Sequence, residues 1–200
     1  MNNWYEQSVV CYAYLGDVDK DVEDEIRKSR WFTRGWTLQE LVAPKELIFF
    51  DKNWNYLGDK KTLSTLLSQI TTIPEEVLDN PPRHRSCSLA RKMSWAAGRE
   101  TTREEDIAYC LLGLFEVNMP LIYGEGARAF IRLQEEIIKE TDDQSLFAWG
   151  MWERIAPEKL DFGAYLLTSG AGVFAAHPAD FASSTNAVPF PVSPIDRRTL

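Results

Sequence analysis

An α/β fold is what the 200-residue sequence predicts, on three observations. Ser8-Val9-Val10-Cys11-Tyr12-Ala13-Tyr14-Leu15 is a β-branched and aromatic run closed by Gly16-Asp17. A short helical pattern follows and is stopped by Pro44, because the residue before a proline is pushed out of the helical region. Lys45 to Phe50 then reads as a second strand. Strand, helix, strand is the unit of a parallel sheet, and runs this continuously apolar belong to strands covered on both faces. Val9 to Leu15 and Leu47 to Phe50 are therefore expected as buried parallel neighbours, with the helix crossing between them.

That helix spans part of Trp31 to Ala43 and ends near Val42. Asp51-Lys52-Asn53-Trp54-Asn55 carries turn chemistry before Tyr56-Leu57. From residue 60 the period becomes helical: Leu63, Leu66, Leu67 and Ile70 fall at i, i+3, i+4, i+7, and Pro74-Glu75-Glu76 starts a further turn. Ser86 to Ala97 places Leu89, Ala90, Met93, Ala96 and Ala97 on one face. Thr102-Arg103-Glu104-Glu105 matches a capping box and predicts one helix carrying Ile107, Ala108, Leu111, Leu114 and Phe115. After Gly124-Glu125-Gly126 a further helix turns Ala127, Phe130, Ile131, Ile137 and Ile138 inward and ends near Thr141. In the last third, Phe147 to Trp152 and Ala164 to Thr168 read as short strands and His177 to Phe181 as a proline-started turn. Val188 to Pro194 reads as stiff extended chain, and the last ten residues as linker. The expected division is 1–57 for the α/β part, 58–143 for a helical accessory region and 144–200 for a small mixed C-terminal region.

Composition narrows the function. With 44% hydrophobic residues and 7 Trp the chain has a core to bury, and its net charge of −8 repels phosphate backbones and anionic lipid. No nucleic-acid or membrane partner is expected, nor a metal, since Cys11, Cys87 and Cys110 are scattered and only His84 and His177 could join them. The cysteines read as reduced core thiols, and the N-terminus has no signal-peptide pattern, so a cytoplasmic protein is expected.

Arg34-Gly35-Trp36-Thr37-Leu38-Gln39-Glu40-Leu41 is the most informative segment. On a helix Trp36 and Glu40 are i, i+4 neighbours, which sets a carboxylate against an aromatic ring and raises its pKa, as suits an acid or a transition-state stabiliser. The plainer alternative is that Glu40 pairs with Arg34 or Arg30 and ties the helix down. Gly124-Glu125-Gly126 offers amides to an anion, or merely a tight turn at a helix start. The charged run Arg99 to Asp106 is either a ligand clamp or a solvated, self-paired surface.

The blocks Trp31 to Leu41, Met93-Ser94-Trp95-Ala96, Arg99 to Tyr109, Met119 to Gly126 and Leu133-Gln134-Glu135-Glu136-Ile137, in this order, resemble the heterokaryon incompatibility (HET) domain proteins of filamentous fungi. The resemblance covers about residues 4 to 181 and implies a role in vegetative incompatibility, the allorecognition and programmed cell death that follow fusion of different hyphae. It also implies other HET or signalling proteins as partners, with self-association among the options. Family members carry upstream Ser-His-x-Trp-Gly and Cys-Ile-Asp type strand ends that are not found here, so the chain is expected to start inside the domain.

HET domains have been proposed as distant relatives of TIR domains, whose NAD-cleaving members use a glutamate in a Ser-x-Trp-Cys-x-x-Glu-Leu type helix. Gly35-Trp36-Thr37-Leu38-Gln39-Glu40-Leu41 is similar to that helix. The comparison implies a partial TIR-like (flavodoxin-like) parallel sheet, NAD as a substrate rather than a bound cofactor, Glu40 as the catalytic group and Trp36 and Arg34 as substrate-binding groups. It leaves open a non-catalytic interaction or decoy module, and it implies little or no cleavage where the upstream part of the pocket is missing.

Overall fold

A computed structural model describes residues 2–19, 23–149 and 173–189. A short helix α1 (Asn2–Glu6) leads into strand β1 (Cys11–Tyr14); α2 (Glu23–Arg27), a 3-10 turn (Arg30–Thr33) and α3 (Thr37–Val42) lead to β2 (Leu47–Phe50) and β3 (Tyr56–Asp59). β1 and β2 pair in parallel with Cys11 opposite Leu47 and Tyr14 opposite Phe50, as the two apolar runs predict. β3 closes the order β1-β2-β3 and is antiparallel to β2. The sheet is thus mixed, and the chain is α/β in class.

β1 corrects the expectation of burial on both faces. It starts at Cys11, leaves Val9 89% exposed, and alternates: Ala13 is buried while Tyr12 and Tyr14 face out. The buried face packs Ala13, Leu47 and Phe49 against Trp31 and Phe32, with the Trp31 and Phe49 rings 5.6 Å apart edge to face. Helix α3 is shorter than the apolar pattern suggests, because Arg34 is extended (φ −80°, ψ 136°) and separates it from the preceding 3-10 turn.

The helical region follows as α4 (Ser64–Thr71), α5 (Glu75–Asp79), a 3-10 turn (Pro81–Ser86), α6 (Leu89–Ser94), α7 (Asp106–Tyr109), α8 (Leu112–Phe115) and α9 (Arg128–Glu140). Ser88 caps α6 through its hydroxyl. The single helix expected from Thr102 to Phe115 is two short ones, and Thr102 caps nothing: α7 starts behind Glu105, without a side-chain cap. His84 is buried in the 3-10 turn with Nδ1 2.6 Å from the Pro81 carbonyl. On α9 the buried stripe is Ala129, Phe130, Leu133 and Ile137, whereas Ile131 and Ile138 sit at its exposed margin. Leu111, Phe115, Phe130 and Ile137 share one core with the sheet residues.

Where a strand was expected from Phe147, a 3-10 turn (Gln144–Phe147) forms instead, capped by the Asp143 carboxylate; the rest of that run from residue 150 and the run Ala164 to Thr168 lie outside the described residues. Pro178–Phe181 forms the expected proline-started turn. Of the extended segment Val188 to Pro194, the part beyond Pro189 is outside the described residues, as is the expected linker.

Candidate functional site

The segment that holds α3 is assembled from residues far apart in sequence. Arg34 bridges Glu100, with the Gly35 amide donating to the Glu100 carbonyl at 2.8 Å and the Glu100 amide to the Thr33 carbonyl at 2.6 Å. A methyl group on Gly35 would lie 2.5 Å from Thr101 Cγ2 and 3.1 Å from Cys110 Sγ, so the close approach requires glycine here. Arg99, 4% exposed, donates to the carbonyls of Arg34 (2.8 Å) and Trp95 (3.2 Å) and to Thr37 Oγ1 (2.9 Å). Burial pulls its guanidinium down to about 10. The charged run from Arg99 is therefore neither a ligand clamp nor a solvated surface at its first residue, which is a buried tie between α6 and α3.

This arrangement opens a cleft of about 610 Å³ at the carboxyl end of β1. Tyr14, Gly16 and Asp17 form one wall, Arg34, Gly35 and Trp36 another, and Thr101 and Asp106 close it. In open α/β sheets this is the end at which ligands bind. Asp17 is already engaged: it accepts from the Ser29 hydroxyl at 2.7 Å and the Arg30 amide at 2.8 Å. Burial raises its carboxyl, these donors lower it, and the net shift is downward. The cleft holds the rings of Trp31 and Trp36 beside Arg34 and beside Arg30, whose guanidinium lies 3.5 Å from Asp17, and its lining also includes Glu100 and Asp106, so Arg34 is its cation for an anionic group.

Of the three residues singled out from sequence, the structure brings Arg34 and Trp36 together in this cleft, while Glu40 does not line it. Glu40 lies one turn further along α3, where the Tyr5 hydroxyl of α1 donates to its Oε1 at 3.5 Å. Burial raises its carboxyl, and Arg34, the Tyr5 hydrogen bond and Arg99 oppose that without cancelling it. The direction is the one its sequence context predicts. Among the described residues Glu40 makes no ion pair, so Arg34 acts on it only through space.

Gly124 and Gly126 do present amides to an anion, and the anion is the chain's own: Glu105 Oε1 accepts from them at 2.6 and 3.1 Å. Cys110 is buried, with its thiol pushed up to about 12 by burial, which leaves no thiolate for chemistry. Among the described residues there is no group of three or more His, Cys, Asp or Glu that could hold a metal, and no helix is long and apolar enough to cross a membrane. Sequence reasoning missed the cleft's Tyr14, Asp17 and Arg30; the signal available was Gly16-Asp17 placed directly after a strand.

The ordered motif blocks and this fold define a class, and comparison with curated proteins supports it: the chain is a relative of the HET-type fungal incompatibility proteins. The protein it matches is the vegetative incompatibility protein HET-E-1 of Podospora anserina, at 43% identity over 150 residues. That match takes in 70% of this chain and 11% of the length of HET-E-1. A family model described as a domain of unknown function, DUF8212, matches residues 128–195, starting at the first residue of α9. No solved structure matches the chain.

Proposed function

We propose that this chain acts in vegetative incompatibility, contributing in the cytoplasm to the cell death that follows fusion of unlike hyphae, together with other HET or signalling proteins. The supporting observation is the 43% identity to an incompatibility protein over 150 residues. Within this reading the TIR-like α/β part, expected as 1–57, runs on to Asp59 because β3 completes its sheet, and the parallel β1–β2 pair linked through α3 speaks for it; the helical accessory region follows to 143 and 144–200 is the C-terminal region. The test is induced expression in a filamentous fungus, scored for death and for barrage formation against strains of different genotype. Death, or a changed incompatibility reaction, is expected. Unaltered growth and fusion at confirmed protein levels would overturn the proposal.

A second reading, NAD cleavage, is favoured by the cleft itself. Trp36 offers a ring for stacking and Arg34 a guanidinium for phosphate, both lining the cleft, while Glu40, a partly desolvated carboxylate one turn along α3 and outside that lining, would have to turn toward the cleft to steady a ribosyl cation as the nicotinamide bond breaks. NAD would be substrate, not cofactor. Nicotinamide release, followed for the chain alone and joined to the upstream segment of a HET relative, tests it. Release that Arg34→Ala and Glu40→Gln abolish supports the enzyme; incompatibility activity without any release assigns the chain to the non-catalytic, interacting class instead.

A further inference from the structure

Among the described residues the sheet is covered on one face only. Ala13, Leu47 and Phe49 point into the core, while the opposite face carries Tyr12, Tyr14, Phe50, Trp54 and Tyr56. These rings form a continuous layer: Tyr12 to Phe50 is 5.7 Å between centroids, Tyr14 to Trp54 4.9 Å, Phe50 to Trp54 5.7 Å and Phe50 to Tyr56 6.4 Å. Tyr12, Trp54 and Tyr56 are each close to 60% exposed. Trp54 reaches the layer from a left-handed backbone (φ 63°), a conformation in which tryptophan is disfavoured; the turn around it is held by the Asp51 carboxylate, which accepts the amides of Asn53 and Asn55 at 2.8 Å. Among the described residues β1 is also an open edge. The amides of Cys11 and Leu15 point to β2, so the backbone groups of Tyr12 and Tyr14 point away from it.

Parallel strands normally have both faces covered, and a bare aromatic face beside an open edge is a surface that recruits another chain. We propose that a second copy of this chain covers it, with the two aromatic layers packed about a two-fold axis. The area fits that occupant. Four rings near half exposure and a partly buried Phe50 present together roughly 500 Å², which gives about 1,000 Å² for a pair of copies and reaches the floor for a specific, reversible contact. The layer is self-complementary, because ring meets ring across an isologous axis. At its edge Lys52 Nζ lies 3.0 Å from Asp19, so this pair selects no charged partner. Each copy carries −8, so the copies repel at long range, and salt shortens that repulsion while leaving the apolar contact.

Sedimentation equilibrium of the whole chain from about 1 to 500 μM, at low and high salt, tests the proposal. The mass is expected to rise from 22.9 kDa toward twice that, with a midpoint in the micromolar range that falls at high salt. Tyr12→Glu and Trp54→Gly should each weaken association at least tenfold. Trp54→Gly removes the ring but suits the left-handed backbone, so its thermal unfolding should match the parent and separate lost contact from lost fold. A constant 22.9 kDa in both salts, or association that both variants leave unchanged, would overturn the proposal. So would a monomer whose face is instead occupied by a separately supplied segment of a HET relative.

Discussion

The carboxylate of Glu105, at the start of α7, accepts the amides of Gly124 and Gly126 at 2.6 and 3.1 Å and so fixes the turn that begins α9. Both glycines hold left-handed backbone (φ 101° and 58°), and the turn is tied down again where the Tyr109 hydroxyl accepts the Ile122 amide at 2.8 Å. Glu105→Ala should therefore loosen residues 121–126 and lower the Tm. Hydrogen bonds from its own amide, then from Gly124 and Gly126, hold this carboxyl below its ordinary range. Such a group stabilises the fold above the ordinary carboxylate pKa and ceases to do so as pH falls through its lowered value. Melting curves from pH 3 to 7 should show the gap between parent and Glu105→Ala narrowing toward acid; a gap independent of pH would assign the effect to packing alone.

Gly35→Ala should destabilise the chain by about 1 to 3 kcal/mol, since the added methyl meets Thr101 and Cys110 across a backbone pairing that has no room to widen. Urea unfolding measures this. Pairing it with Thr101→Ser, which removes the methyl group at 2.5 Å, should recover part of the loss.

Leu111→Ala, at a fully buried position of the shared core, should cost about 2 to 5 kcal/mol. An unchanged midpoint in denaturant would mean that the space collapses without penalty.

Lys60 is buried at 2% exposure with Nζ donating to the Leu41 carbonyl at 3.1 Å and to that of Pro44, at the end of α3. Burial brings its ammonium down to about 8. Between that value and the ordinary lysine range the unfolded chain binds more protons, so stability should rise with pH there, by at most on the order of 3 kcal/mol. Denaturant titrations from pH 7.5 to 9.5 should show that rise in the parent and a flatter profile in Lys60→Met. Lys92, also lowered by burial, contributes in the same direction.

The parallel β1–β2 pair was legible in the sequence because it depends on a local apolar pattern, and so were Phe130 and Ile137 of the α9 stripe, whereas Ala127, Ile131 and Ile138, expected inward, are exposed and Ala129 and Leu133 take their place. β3 was not: Tyr56–Asp59 is four residues long, and its Gly58 (φ 150°) presses against the Leu63 side chain where a Cβ would lie 2.8 Å away. The break between α7 and α8 was hidden for a different reason. Glu105, the expected acid of a local capping box, bonds to a turn 19 residues on, and Gln39 Nε2 reaches across to take the Cys110 carbonyl. The site shows the same division. The chemistry of Trp36 and Arg34 could be read from their types, but the cleft they line exists because Arg99 and Glu100 bind a segment more than sixty residues earlier, which no periodicity records.

Glu40 allows stability and function to be separated. Its carboxyl is raised by burial, so between the ordinary carboxylate pKa and the raised value the folded chain binds more protons than the unfolded one. Stability is then lost as pH rises through that window, and the cost is complete above it. Glu40→Gln keeps the shape and removes the charge. It should raise the Tm slightly at pH 7, corresponding to less than about 1 kcal/mol because the group is half-buried and screened, and change nothing near pH 3. A lower Tm at pH 7 would mean that attraction to Arg34 and Arg99 outweighs burial, and that the carboxylate is a structural tie. If the variant is more stable yet no longer supports the incompatibility reaction, the charge is kept for activity at the expense of the fold, as expected of a group that works on a ligand.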